Sequence, residues 1–228
     1  MPNRKWPEKI TAVVKVGAGR GFVIAHRTKP RFQNLPKKIR LAPFVEDRLI
    51  VTAAHCLPLL PPANPANYNY ERTFQRLLGP LFDKKTNVAA ECRFVDPIAD
   101  VAVLGAPDGQ DLPEEAEAYD SLTEGVTPFL IANATSGAGW VLSLDGCWVR
   151  SRIELFSGFG VSMTIDPTEG GQSGSPVLDY KGRAIGLISV GKETVVEGSK
   201  VINGRTGPQP ILTRNLPGWL LKPLNGNP

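Results

Sequence analysis

Three short segments of the chain carry residue types that together perform acyl-transfer chemistry. In Val51-Thr52-Ala53-Ala54-His55-Cys56 an apolar run ends in small residues and then one of the chain's two histidines. An imidazole that shuttles protons must lie against close-packed backbone and still face a cleft, which small side chains allow. The other histidine, His26, follows Gly21-Phe22-Val23-Ile24-Ala25 without such a context and reads as an ordinary core residue. The second segment, Asp96-Pro97-Ile98-Ala99-Asp100-Val101-Ala102-Val103-Leu104, offers two carboxylates. Asp96, before a proline, reads as a turn residue. Asp100 leads straight into an apolar strand, where an unpaired carboxylate is costly unless a donor such as an imidazole N–H satisfies it. The third segment is Glu169-Gly170-Gly171-Gln172-Ser173-Gly174-Ser175-Pro176. Glycines on both sides of Ser173 permit a tight turn that exposes the hydroxyl and aims backbone N–H groups at one point. The N–H groups of Gly171 and Ser173 are the candidate donors for an oxyanion. Serine, histidine and aspartate in such roles make a nucleophile, its base and the acid that orients the base.

Something must hold these segments together, and the rest of the chain reads as β-structure. Short apolar and β-branched runs bounded by Gly, Pro, Asn and Asp recur at Ile10–Val16, Gly21–Ala25, Leu49–Ala53, Val101–Leu104, Phe129–Ala132, Trp140–Leu144, Val161–Ile165, Ser175–Leu178 and Ala184–Val190. That spacing predicts an all-β sandwich or a pair of barrels. Residues 108–125, rich in Asp and Glu, read as a linker crossing between an N-terminal β unit over 10–107 and a C-terminal one over 126–220. The proline-rich stretches 27–47 and 57–86 read as surface excursions, with a short helix expected at Thr73–Leu78 inside the second. Helix-period stretches are few, and the best of them, Trp219–Leu221, is too short and too close to Pro217 and Pro223 to count for much.

With 228 residues, the chain can bury one substantial core. No apolar run approaches the roughly 18–20 residues of a membrane helix, so no membrane partner is expected. The net charge of +4 is modest, and the basic stretch from Arg27 to Arg40 has only Phe32 interleaved, so it reads as a solvated loop, not a nucleic-acid patch. The first residues lack a secretory leader; the chain is expected either to stay inside the cell or to have lost one. Three cysteines, Cys56, Cys92 and Cys147, cannot all pair, and none has zinc-site spacing, so no metal is expected. Cys56 with Cys92 is the one pairing considered. The oligomeric state is left open.

Thr52-Ala53-Ala54-His55-Cys56, Asp100-Val101-Ala102-Val103-Leu104 and Gly171-Gln172-Ser173-Gly174-Ser175-Pro176, in that order, resemble the His, Asp and Ser motifs of trypsin-like serine peptidases, and of their bacterial-type branch in particular. The resemblance covers roughly residues 10–220. It implies two six-stranded antiparallel β-barrels packed with the active site between them, a single peptidase domain, and a serine endopeptidase working without a cofactor. His55, Asp100 and Ser173 would be its triad, with His55 and Asp100 from the first barrel and Ser173 from the second. Ser189, Val190 and Gly191 resemble the edge that pairs with an extended polypeptide substrate. An idle binding module on the same fold and an esterase using the same triad are the competing readings.

The departures from the family pattern carry information too. Digestive members are activated when a freed amino terminus reaches an aspartate just before the nucleophile, but here that position is Gln172. Trypsins hold an aspartate six residues before the serine, where this chain has Pro167, so cleavage after Arg or Lys is not expected. Ile188 stands where glutamyl-specific members have a histidine. The specificity pocket is expected from Pro167, Thr168, Val190 and a returning strand Pro210-Ile211-Leu212-Thr213. Such a lining favours small or medium aliphatic side chains at P1, with Glu169 and Lys192 as the residues able to reverse that preference.

Overall fold

The computed structural model describes residues 9–28, 45–61, 70–83, 85–156, 158–163, 169–189, 194–197, 200–203 and 209–221. Strands β1 (Val13–Val16), β2 (Gly19–Thr28), β3 (Val45–Thr52), β4 (Phe74–Pro80), β5 (Val88–Asp96) and β6 (Val101–Gly105) form the first unit. They close into an antiparallel barrel in the order β1-β2-β3-β6-β5-β4. A helical turn, α1 (Tyr70–Thr73), precedes β4, and helix α2 (Pro113–Thr123) follows β6.

The second unit is a six-stranded antiparallel sheet ordered β11-β10-β7-β8-β9-β14. Its strands are β7 (Gly137–Leu142), β8 (Trp148–Phe156), β9 (Gly160–Met163), β10 (Pro176–Asp179), β11 (Ala184–Leu187) and β14 (Gln209–Pro210). An isolated antiparallel bridge between Gly186 and Ile211 brings its two edges together, so this sheet is a nearly closed barrel. A separate hairpin pairs β12 (Thr194–Glu197) with β13 (Lys200–Asn203), and α3 (Leu212–Asn215) and α4 (Gly218–Leu221) end the described chain. The protein is thus all-β with two six-stranded antiparallel barrels.

The barrels share a seam. Phe129, entering the second unit, donates its N–H to Val23 of β2 at 2.9 Å, and its ring stands edge-on to Phe22 and Trp148 at 5.9 and 6.2 Å. Phe129 is fully buried there, so Phe129→Ala is expected to destabilise by roughly 3–5 kcal/mol. β6 is buried along its whole length, between the barrel interior on one face and covering elements on the other, which explains its unbroken apolar sequence.

Several elements differ from their sequence reading. The stretch 57–86 is not all excursion: Phe74–Pro80 is barrel strand β4, and the helical residues are Tyr70–Thr73, not Thr73–Leu78. Its Gln75 and Arg76 mask the strand character, which is set by pairing with β1 and β5. Strands β5 and β8 lie outside the apolar runs that the sequence marks as strands. β8 alternates only over Arg150–Glu154, with Ser151 and Ile153 buried while Arg150, Arg152 and Glu154 face out. The returning strand expected at Pro210–Thr213 is only Gln209–Pro210, because the chain turns helical at Leu212. Phe129–Ala132 makes isolated bridges at Phe129 and Ile131 instead of a strand.

The acidic stretch after β6 contains α2, whose Pro113 opens the helix and whose Glu114 and Glu115 suit its N-terminal dipole. Tyr119 and Thr123, one turn apart, are its buried side chains. The Tyr119 hydroxyl donates to the Arg48 carbonyl at 2.9 Å, tying α2 to β3. The Cys56–Cys92 pairing is not formed. All three cysteines are free thiols, and Sγ of Cys56 and of Cys92 donate to different carbonyls, those of Ser173 and Phe94.

Candidate active site

His55 and Asp100 lie 45 residues apart in sequence and meet because β3 and β6 are neighbours. Thr52, the last residue of β3, pairs with Ala102 near the start of β6. His55 follows through a short 3-10 turn, Ala54–Cys56, and Asp100 immediately precedes β6. Asp100 has φ of 54°, the left-handed region that Asp tolerates better than most residues. In that conformation its carboxylate grips His55 twice. Oδ1 accepts the His55 backbone N–H at 2.9 Å, and Oδ2 lies 2.7 Å from Nδ1. An ionised carboxylate only accepts, so Nδ1 carries the proton and Nε2 is left with its lone pair facing outward. The His55 side chain is half exposed and that of Asp100 one-fifth exposed.

Ser173 lies in the turn that leads into β10. Gly171 and Gly174 take φ of 95° and 82°, conformations that L side chains rarely adopt. A Cβ on Gly174 would also fall 1.8 Å from the Arg20 carbonyl oxygen, so that position admits only glycine. The turn is stitched on both sides. Arg20 of β2 donates its N–H to the Ser173 carbonyl at 2.7 Å, and Gly174 donates to the Ile188 carbonyl at 2.6 Å. Ser189, the next residue, donates its hydroxyl to Asp100 Oδ2 at 2.5 Å. A ring therefore closes across the seam: Cys56 beside His55 touches the Ser173 carbonyl, Gly174 holds Ile188, Ser189 holds Asp100, and Asp100 holds His55. Among the described residues no direct bond joins His55 Nε2 to Ser173 Oγ, and no acceptor takes the N–H of Gly171 or Ser173.

The electrostatics follow from these contacts. The hydrogen bond to Asp100 raises the His55 pKa above the ordinary histidine value, outweighing burial. Burial pushes the Asp100 carboxyl upward, but hydrogen bonds from His55 Nδ1, the Ser189 hydroxyl and the His55 N–H prevail and hold it below the usual carboxylate range. Burial raises the Cys56 thiol to about 11, so it stays protonated as a weak donor.

Of the residues proposed to bind substrate, Ser189 is described and faces Asp100 with its hydroxyl; its N–H is held by the Gln209 side-chain oxygen. Pro167, Thr168, Val190, Gly191 and Lys192 lie outside the described residues. His26 is buried away from the site, with Nε2 3.4 Å from the Trp219 carbonyl and its ring edge-on to the Trp219 ring. Arg20 was not singled out from the sequence. Its signal in the sequence is a cation between two glycines, just ahead of the apolar run Phe22–Ala25.

The fold has solved relatives. The serine protease of a human pathogenic astrovirus shares 16% identity over 92% of this chain and 95% of its own, with a TM-score of 0.50, a likeness of fold. The active form of the Rv3671c protease from M. tuberculosis shares 16% over 96% of this chain and 83% of its own, with a TM-score of 0.47. No curated protein matches the chain. The model of the trypsin-like peptidase domain matches residues 19–187, from the head of β2 to the end of β11. On that match, which spans well over half of the sequence, the chain belongs to the family of trypsin-like peptidase domains and is by class a serine endopeptidase.

Proposed function

We propose that the chain hydrolyses polypeptide bonds through a triad of Ser173, His55 and Asp100 and a covalent acyl-enzyme. The observation that carries this reading is the paired grip of Asp100 on His55, which fixes the tautomer whose free Nε2 acts as base. Ser173 Oγ attacks the scissile carbonyl carbon while Nε2 takes its proton. The imidazolium then returns that proton to the leaving amine as the C–N bond breaks, leaving an ester on Oγ. Water, deprotonated by the same nitrogen, attacks the ester carbon; the C–Oγ bond then breaks, the imidazolium returns the proton to Ser173 Oγ, and the carboxyl product leaves. In each tetrahedral intermediate the oxyanion is bound by the N–H groups of Gly171 and Ser173, which have no acceptor among the described residues. Asp100 stays ionised throughout and stabilises the imidazolium.

The substrate binds as an extended strand beside residues 189–191. With the Ser189 N–H taken by Gln209, the Ser189 carbonyl is the group left to accept a substrate N–H. On this reading the P1 pocket, assigned from the sequence to Pro167, Thr168 and Val190, selects small or medium aliphatic side chains. A charged P1 group would lose water there without gaining a partner.

The test is cleavage profiling on a peptide library with the parent chain and Ser173→Ala, alongside organophosphonate labelling. Parent-only cleavage, with labelling at Ser173, is the expected result. Labelling without peptide cleavage, or turnover of simple esters alone, would sink the endopeptidase reading. Dominance of Arg, Lys, Asp or Glu at P1 would overturn the aliphatic pocket and point to Glu169 or Lys192.

A further inference from the structure

Arg20 is a charged side chain with only 5% of its surface exposed, and it bridges the two barrels. From β2 its guanidinium donates to the Ser143 carbonyl at 2.8 Å and to the Leu144 carbonyl at 2.9 Å, both in the turn joining β7 to β8. That turn is itself tightly built: Ser143 N–H bonds the Cys147 carbonyl at 2.9 Å, and Cys147 N–H bonds Ser143 Oγ at 3.0 Å. The Leu144 side chain then lies against Gly171, 3.5 Å from where a Cβ would stand. The main chain of Arg20 grips the nucleophile turn from the other side. Its N–H holds the Ser173 carbonyl, and its carbonyl, fixed by the Thr52 hydroxyl at 2.6 Å, presses on Gly174.

A seam between barrels needs no cation, because buried apolar groups fill such space without a desolvation penalty. What an arginine adds is a planar fork that fixes two acceptors at once, which lysine cannot reproduce. Here both acceptors belong to the turn that buttresses Gly171. Resting on the triad reading above, we infer that Arg20 is a positioning residue for the oxyanion site, its side chain holding the Leu144 buttress and its main chain the Ser173 carbonyl. The donors of Gly171 and Ser173 are thereby aimed before substrate arrives. Preorganised donors of this kind strengthen the transition state more than the ground state, so the role is read in kcat, not in KM.

The test uses the full chain with Arg20→Met, Arg20→Lys and Leu144→Ala. It measures kcat and KM on a cleaved library peptide, and affinity for a peptidyl boronate and for the product peptide. Arg20→Met is expected to lower kcat about 100-fold with KM within about threefold; Arg20→Lys recovers only part of the loss. Boronate affinity falls in proportion to kcat, and product affinity does not change. Leu144→Ala truncates a side chain that is 39% exposed, leaves the fold intact and lowers kcat roughly tenfold; it carries the test if Arg20→Met does not fold. The assignment is overturned if kcat of a folded Arg20→Met or of Leu144→Ala stays within about twofold of the parent, or if product affinity falls as far as boronate affinity. A parent chain that neither cleaves peptides nor reacts with an organophosphonate would instead defeat the triad reading.

Discussion

The Ser189 hydroxyl, carried by the second barrel, donates to the same Asp100 oxygen that faces His55 Nδ1 from the first, at 2.5 and 2.7 Å. This bond makes the Asp100 carboxylate a weaker base than it would be with His55 alone. Ser189→Ala is therefore expected to lower kcat/KM roughly tenfold, the scale of one hydrogen bond to a charged group. A more basic Asp100 holds the imidazolium proton more tightly, so the acid limb of the pH profile moves to higher pH. A Ser189→Ala variant with the parent's rate and the parent's limb would show that the bond does not act on the histidine.

Ser173→Ala and His55→Ala should each reduce turnover about 10⁶-fold, and Asp100→Asn about 10⁴-fold. Two neighbours serve as controls. Ser175 Oγ is buried with no hydrogen-bond partner among the described residues, so Ser175→Ala should leave kcat nearly unchanged. Asp96 caps its turn by accepting the N–H groups of Ile98 and Ala99 at 2.9 and 3.0 Å, so Asp96→Asn should act on stability alone. Steady-state rates with thermal melts separate the two effects, and a Ser175→Ala variant as impaired as Ser173→Ala would contradict the assigned nucleophile.

Catalysis needs His55 neutral, and its pKa is raised above 6.5 by the hydrogen bond that Nδ1–H donates to Asp100. The sign follows directly: as pH falls the histidine protonates earlier than a free one, so kcat/KM declines with a midpoint above 6.5. A profile that stays flat to well below that value would remove His55 as the titrating base.

Activity should require no freed amino terminus. The Gln172 side chain is already engaged, its oxygen accepting the Glu169 N–H at 2.7 Å and its nitrogen donating to the Leu142 carbonyl at 3.3 Å. These bonds fasten the nucleophile turn to β7 from within. A chain beginning at Met1 should cleave peptides as purified, and Gln172→Ala should lower kcat by roughly ten- to 100-fold. Inertness until the first residues are trimmed would count decisively against this internal fastening.

Mild reductant should leave the rate unchanged, because all three thiols are free. A thiol-specific disulfide reagent should modify Cys147, the exposed cysteine, ahead of Cys56 and Cys92, whose thiols burial raises to about 11. A marked loss of activity with dithiothreitol would reveal a bridge between two of them.

The sequence by itself determined the chemistry-bearing residue types and their order. A histidine after small residues, an aspartate opening an apolar strand and a serine between glycines are local patterns, each dictated by the backbone immediately around it. The strands with compact apolar runs, β2, β3, β6 and β11, are legible for the same reason. Tertiary structure decided what depends on residues far apart in the chain. Phe74–Pro80 is a strand because β1 and β5 flank it, and Leu212 turns helical where the pattern read as extended. The hydroxyl of Ser189 turns to Asp100, 89 residues away, although the sequence placed it only on the substrate edge. Arg20, which lies between two glycines in the sequence, is held across the barrel seam by carbonyls 123 and 124 residues distant. No local pattern encodes such contacts, because a buried charge or hydroxyl is satisfied by whatever acceptor the packed barrels bring to it.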